Sequence, residues 1–185
     1  TLCAAGSFGN ATGLRSQEGC LPCPPGPHCF MGSTAPAICA AGTFSGATGA
    51  ADCSLCSVGT YQGAKGQTAC DVCTAGGYCE AGSVAPTLCA AGSYSNVEGL
   101  DECFECEAGT FQSAVAATGC ELCGVGGYCE AGRPRALCPA GTDCVDANTT
   151  LATLPLEAGQ FRISSDSDDI RRCPDAAYNN SACAG

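Results

Sequence analysis

The chain has no tryptophan, one methionine, one histidine and only seven basic residues in 185. Leu, Ile, Val and Phe are sparse, so the 45% hydrophobic content rests mostly on Ala and Cys, which bury little area each. That excludes a conventional globular core. A single imidazole, His28, leaves almost no basis for a triad or for acid–base chemistry built on histidine. Seven Lys and Arg against 18 Asp and Glu, a net charge of −11, argue against nucleic acid and anionic membrane surfaces as partners. No run of about 18 apolar residues occurs, and no direct membrane insertion of this segment is expected. Thr1-Leu2-Cys3 lacks the charged-then-apolar layout of a secretion signal, so any signal or anchor is expected outside these residues.

What the chain has is cysteine, 20 residues of it. Few large apolar residues with strong net charge would by themselves mean disorder, and covalent cross-links supply the order instead. Dense disulfides persist in oxidising compartments, which points to an extracellular or cell-surface location. Three N-glycosylation sequons agree with it, at Asn10, Asn148 and Asn179, and glycans are expected partners.

The cysteines repeat. Cys39, Cys53, Cys56, Cys70, Cys73 and Cys79 recur fifty residues later as Cys89, Cys103, Cys106, Cys120, Cys123 and Cys129. Each unit holds two long modules, C-x13-C, and one short module, C-x5-C. The spacing predicts a partial repeat over 1–38, full repeats over 39–88 and 89–137, and a variant end module over 138–185. In that end module, 28 residues separate Cys144 from Cys173, which reads as an insertion. Phe161–Ser164 and Ile170–Cys173 are expected to pair as two strands across the polar turn between them.

Three positions after most opening cysteines stands a Gly and five positions after an aromatic, as in Gly42 with Phe44, Gly59 with Tyr61 and Gly109 with Phe111. The fixed Gly predicts a positive φ or the close approach of another strand. The aromatics are expected to cover neighbouring disulfides as the core. Gly49, Gly66 and Gly99 are predicted turns. The predicted fold class is small and disulfide-rich: an elongated tandem array of short β-hairpin and loop modules, with little helix and no large hydrophobic core.

Module parity favours pairing between neighbours: Cys3–Cys20, Cys23–Cys29, Cys39–Cys53, Cys56–Cys70, Cys73–Cys79, Cys89–Cys103, Cys106–Cys120, Cys123–Cys129, Cys138–Cys144 and Cys173–Cys183. Interlaced pairing stays open in the short modules, because Cys73, Cys79 and Cys89 lie close enough to exchange partners. Zinc is the competing reading. Cys53, Cys56, Cys70 and Cys73 have nearly the spacing of a four-cysteine ribbon, and Cys103, Cys106, Cys120 and Cys123 repeat it. Many cysteines fall outside these quartets, and the sequons point outward, so no metal and no cofactor is expected. Redox use of the Cys-x-x-Cys pairs lacks the strand–helix–strand unit around them.

The run Cys39-Ala40-Ala41-Gly42-Thr43-Phe44, closed by Cys53-Ser54-Leu55-Cys56 and repeated from Cys56 and Cys89, resembles the ephrin-receptor-like cysteine-rich repeat, whose motif is Cys-Pro-Ala-Gly-Thr-Tyr. The opening module is also similar to the first loop of tumour necrosis factor receptor cysteine-rich domains, where the resemblance implies a disulfide across C-x13-C. The likeness covers residues 1 to about 144, and Pro after the opening Cys is kept only at Pro24, Pro139 and Pro174. Such repeats occur in receptors, matrix proteins and large surface proteins of algae and other protists. The segment from Leu154 to Pro174 is similar to one that follows such repeats in large protist surface proteins.

Candidate sites are few. His28 occupies the slot of Tyr78 and Tyr128 in the equivalent modules, which makes it structural. Asp166, Asp168 and Asp169 offer oxygen ligands for calcium but lack the Gly and distal Glu of a known loop. Asp101-Glu102 and Glu105 with Glu107 read as surface charge. Arg133 and Arg135, around Pro134, are the local anchors for a bound partner. No nucleophile, base or metal constellation supports an enzyme. The expected function is a structural subunit or segment of an extracellular glycoprotein assembly, a fibre, surface hair or wall layer. Its partners would be itself, as a head-to-tail homo-oligomer or filament, or other surface proteins. The alternative is the ectodomain of a membrane receptor or adhesion protein with a ligand-binding rod.

Overall fold

The computed structural model describes residues 2–9 and 17–173. By contacts the chain forms two compact units, Thr1–Leu88 with Val97–Glu102, and Cys89–Asn96 with Cys103–Gly185. Among the described residues the only helix is the single 3-10 turn Gln17–Gly19, and the strands form two-stranded antiparallel hairpins. No helix among them is long and apolar enough to cross a membrane.

One hairpin design recurs, and local chemistry dictates it. In the module opened by Cys39, the Ala40 carbonyl accepts from the Thr43 amide at 3.1 Å and from Thr43 Oγ1 at 2.8 Å. Gly42 stands third in this four-residue turn with φ +80°, a conformation costly for any residue with a Cβ. The strand Thr43–Phe44 leaves the turn and pairs with Ser54–Leu55, just before the next opening cysteine. Cys39–Cys53 closes the loop between them. The same pattern builds Thr60–Tyr61 with Asp71–Val72 in the first unit, where the short module pairs Gly77–Tyr78 with Thr87–Leu88 while Cys73–Cys79 closes only the opening turn. In the second unit the pattern builds Ser93–Tyr94 with Phe104–Glu105 and Thr110–Phe111 with Glu121–Leu122.

Successive modules are sewn together within each unit. The Gly42 amide donates to Gln62 O of the next module at 2.7 Å, and the Cys39 carbonyl accepts from the Gly66 amide at 2.8 Å. Gly42 also faces the carbonyl oxygen of Gly82, two modules on, which a Cβ at Gly42 would overlap. The second unit has the same stitches: Gly92 N to Gln112 O at 2.7 Å, and Gly132 N to Cys106 O at 3.0 Å.

The bridges join Cys3–Cys20, Cys23–Cys29, Cys39–Cys53, Cys56–Cys70, Cys73–Cys79, Cys89–Cys103, Cys106–Cys120, Cys123–Cys129 and Cys138–Cys144. Each closes a short loop, and a loop of about 15 residues is worth about 3 kcal/mol in the chain-entropy model. Cys173 is also disulfide-bonded, and its expected partner Cys183 lies outside the described residues. The buried core is made of sulfur: Cys23, Cys29, Cys39, Cys56, Cys73, Cys79, Cys123 and Cys129 are fully buried. The aromatics expected to form that core are only half-buried, flanking it on the strands.

The stretch between Cys144 and Cys173 contains a further hairpin of the recurring kind. Leu156-Glu157-Ala158-Gly159-Gln160-Phe161 makes the same opening turn, with the Glu157 carbonyl accepting from the Gln160 amide at 3.2 Å and Gly159 at φ +82°. Leu156 stands where an opening cysteine would. Gln160–Arg162 then pairs with Ile170–Arg172, a hairpin starting one residue earlier than the sequence suggested, and the Cys173 amide donates to Gly159 O at 2.8 Å. This is one more module, without an opening cysteine.

Candidate functional site

A concave surface lies in the second unit, where this cysteine-free module meets the module opened by Cys123. It is a groove of about 380 Å³ lined by Tyr128, Glu130, Arg133, Pro134, Leu151 and Asp168, among others. Tyr128 comes from the strand Gly127–Tyr128. Asp166 and Asp168 come from the loop between Gln160–Arg162 and Ile170–Arg172. Arg162 holds that loop against the neighbouring segment, donating to Ser165 O at 3.1 Å, to Ala152 O at 3.3 Å and to Leu151 O. Glu130 accepts from the Leu151 amide.

The groove is anionic at its rim. Burial pushes the Tyr128 phenol above its ordinary range, and the Asp168 and Glu130 carboxylates push it further, against a smaller opposing effect of Arg133. A phenol, an aliphatic wall and carboxylates outnumbering one guanidinium make a surface complementary to a cationic side chain. Of the two expected anchors, Arg133 is exposed on the groove. Arg135 is half-buried and bonded to Val125 O at 2.9 Å, so it braces its own module.

Asp166, Asp168 and Asp169 are not among the described residues whose ligand atoms converge. Asp169 turns to Arg171, accepting from Nε at 2.9 Å and from Nη2 at 2.6 Å, which holds its carboxyl below the usual range. Asp166 accepts from Ser165 Oγ at 3.2 Å. Among the described residues, the one His, Cys or acid cluster whose ligand atoms converge is His28, Cys39 and Cys53. The zinc quartet from Cys53 to Cys73 is divided among three disulfides, Cys39–Cys53, Cys56–Cys70 and Cys73–Cys79. Asp101, Glu102, Glu105 and Glu107 are exposed.

Asn148 is exposed and takes a left-handed conformation, φ +70°, at the position glycine fills in most other modules. Asn10 and Asn179 lie outside the described residues. Sequence reasoning missed two recurring polar groups. One is the Ser or Thr four places after the opening cysteine, whose hydroxyl reinforces the turn at Ser7, Thr43, Thr60, Ser93 and Thr110. The other is the Gln at Gln62 and Gln112, which bonds its own loop at both ends. Both were visible as fixed positions in the repeat.

Residues 42–89 and 92–132 match the family described as tyrosine-protein kinase ephrin type A/B receptor-like. No curated protein matches the chain.

Proposed function

Taking its central repeats as ephrin-receptor-like cysteine-rich modules of receptor-ectodomain type, we propose that the chain is a structural segment of an extracellular glycoprotein assembly. The observation that carries this reading is the stitching of successive modules within each unit by the same backbone bonds, with a glycine of one module set against a carbonyl two modules on. A rule that uses only neighbours has no built-in stopping length, so order grows by addition of modules. In the first unit a row of aliphatics precedes the opening cysteines: Leu2, Ile38, Leu55, Val72 and Leu88, between 52% and 69% exposed. A second copy of the chain, bearing the same spacing, is the partner such a row fits in register. The fibre, hair or wall layer is then built head to tail or side by side from like modules, with glycan at Asn148 on the outside.

Electron microscopy and sedimentation of the native glycoprotein test this. Ordered oligomers or filaments are expected, and L55E with L88E should dissolve them without unfolding the chain. Monodisperse monomers under all conditions would count decisively against it.

The groove at Tyr128 favours a second reading, an ectodomain segment that binds a basic partner. Capture of a Lys- or Arg-rich peptide by the wild-type chain, lost in E130Q/D168N, would select that reading.

A further inference from the structure

We propose that Cys39–Cys53 is an exchangeable disulfide, opened by an external thiol under the influence of His28. The His28 Nδ1 atom lies 3.0 Å from Cys53 Sγ, and ring nitrogen and both sulfurs fall within 4.8 Å of one another. The strand Pro27–His28 presents the ring, and Phe30 fixes its plane, edge to face with centroids 4.7 Å apart. The carboxylate beside the bridge is Asp52, which accepts from the Cys53 amide at 2.8 Å. Cys39 is fully buried, while Cys53 is half-buried, so an incoming thiolate reaches the bridge at Cys53.

Attack on Cys53 Sγ forms a mixed disulfide and breaks the bond to Cys39, whose sulfur takes the electron pair. A second thiolate then attacks the outer sulfur of that mixed disulfide. The external disulfide departs, and the electron pair returns to Cys53 Sγ beside the imidazole ring. Two external thiols are oxidised, and the bridge is reduced to two cysteines with their protons. An imidazolium next to a sulfur stabilises the thiolate, and a stabilised thiolate is both the better leaving group and the reason a bridge is more easily reduced. His28 is the only histidine, so no other bridge has this partner. Cys89–Cys103, which closes a loop of identical spacing fifty residues further along, is the internal comparison.

The test exposes the native full chain to reduced glutathione, quenches with a maleimide and maps the label by peptide mass spectrometry. Cys39 and Cys53 are expected to label on the order of tenfold faster than Cys89 and Cys103. H28Y, which installs the residue found at Tyr78 and Tyr128, should equalise the two bridges, and H28Q serves if H28Y does not fold. Selectively opened wild-type protein should show thiolate ultraviolet absorbance at neutral pH that the opened variant lacks. Equal labelling of both bridges in the wild type, or a preference that survives replacement of His28, overturns the proposal.

Discussion

Gly59 packs its α-carbon against the carbonyl oxygen of Gly99, two modules further along the first unit, so closely that a Cβ at Gly59 would overlap that oxygen. The same glycine has φ +75° and donates its amide to Cys79 O at 2.8 Å. One residue therefore sets the turn, the bond to the next module and the contact with the module beyond it.

G59A should accordingly be among the most damaging small changes in the chain. The left-handed conformation alone costs about 1–2 kcal/mol, and displacing the Gly99 backbone brings the expected loss to roughly 3 kcal/mol or more. Denaturant unfolding with the disulfides intact measures it. G124A is the control, because a Cβ there meets nothing within 4 Å, and it should change stability little.

The converse change is expected to stabilise. Ala116 has φ +58° and donates its amide to Cys89 O at 2.8 Å, the stitch that Gly66, Gly82 and Gly99 make elsewhere. A116G removes the Cβ penalty while loosening the unfolded chain, for a net gain of about 0.5–1 kcal/mol. A higher midpoint in the same denaturation assay is the expected result, and an unchanged or lower one would mean that Ala116 is not strained.

Gln112 spans its loop, donating from Nε2 to Gly119 O at 2.9 Å and accepting from the Ala114 amide at 2.8 Å. Each such bond contributes about 0.5–1.5 kcal/mol net. Q112A should therefore cost about 1–2 kcal/mol and speed amide exchange at Ala114. The paired change Q62A removes the equivalent bonds to Ala69 O and from Ala64 N, at a position more deeply buried, and should cost at least as much.

How far the sequence could be read depended on which residue served as the anchor. Counting from cysteines recovered the hairpin class and the family, because bridges and repeat spacing are local. Between Cys144 and Cys173 the two strands were legible but their kinship with the other modules was not, because the turn from Glu157 to Gln160 is built around Gly159 while Leu156 stands where the cysteine would. The likeness of Glu157-Ala158-Gly159-Gln160-Phe161 to Glu107-Ala108-Gly109-Thr110-Phe111 was the available signal. The groove was not legible, since it arises where Tyr128 and Asp168, far apart in sequence, are brought together. Nor was the His28 contact with Cys53, which depends on the stacking of one module on the next.

Chelation and reduction should separate cleanly. With the sulfurs of both Cys-x-x-Cys quartets in disulfides, a strong chelator is expected to leave circular dichroism and proteolytic resistance unchanged. Excess thiol reductant under the same conditions should abolish the resistance. Collapse on chelation alone would restore the zinc reading.

The Tyr128 phenol offers a titration test of the groove. Burial, Asp168 and Glu130 all hold it neutral beyond the ordinary tyrosine range, so its folded pKa exceeds its unfolded one. A group raised in this way contributes stability that is fully present below the unfolded pKa and is lost as pH rises through the folded one. Tyrosinate absorbance, with Y128F subtracted to isolate one of the five tyrosines, should show Tyr128 ionising at higher pH than a free tyrosine. E130Q and D168N each remove a like charge and should move that ionisation down, while R133Q removes the opposing cation and should move it up. If all three substitutions left the titration in place, the carboxylates would not be facing the ring, and the groove would lose the anionic character that recommends it for a basic partner.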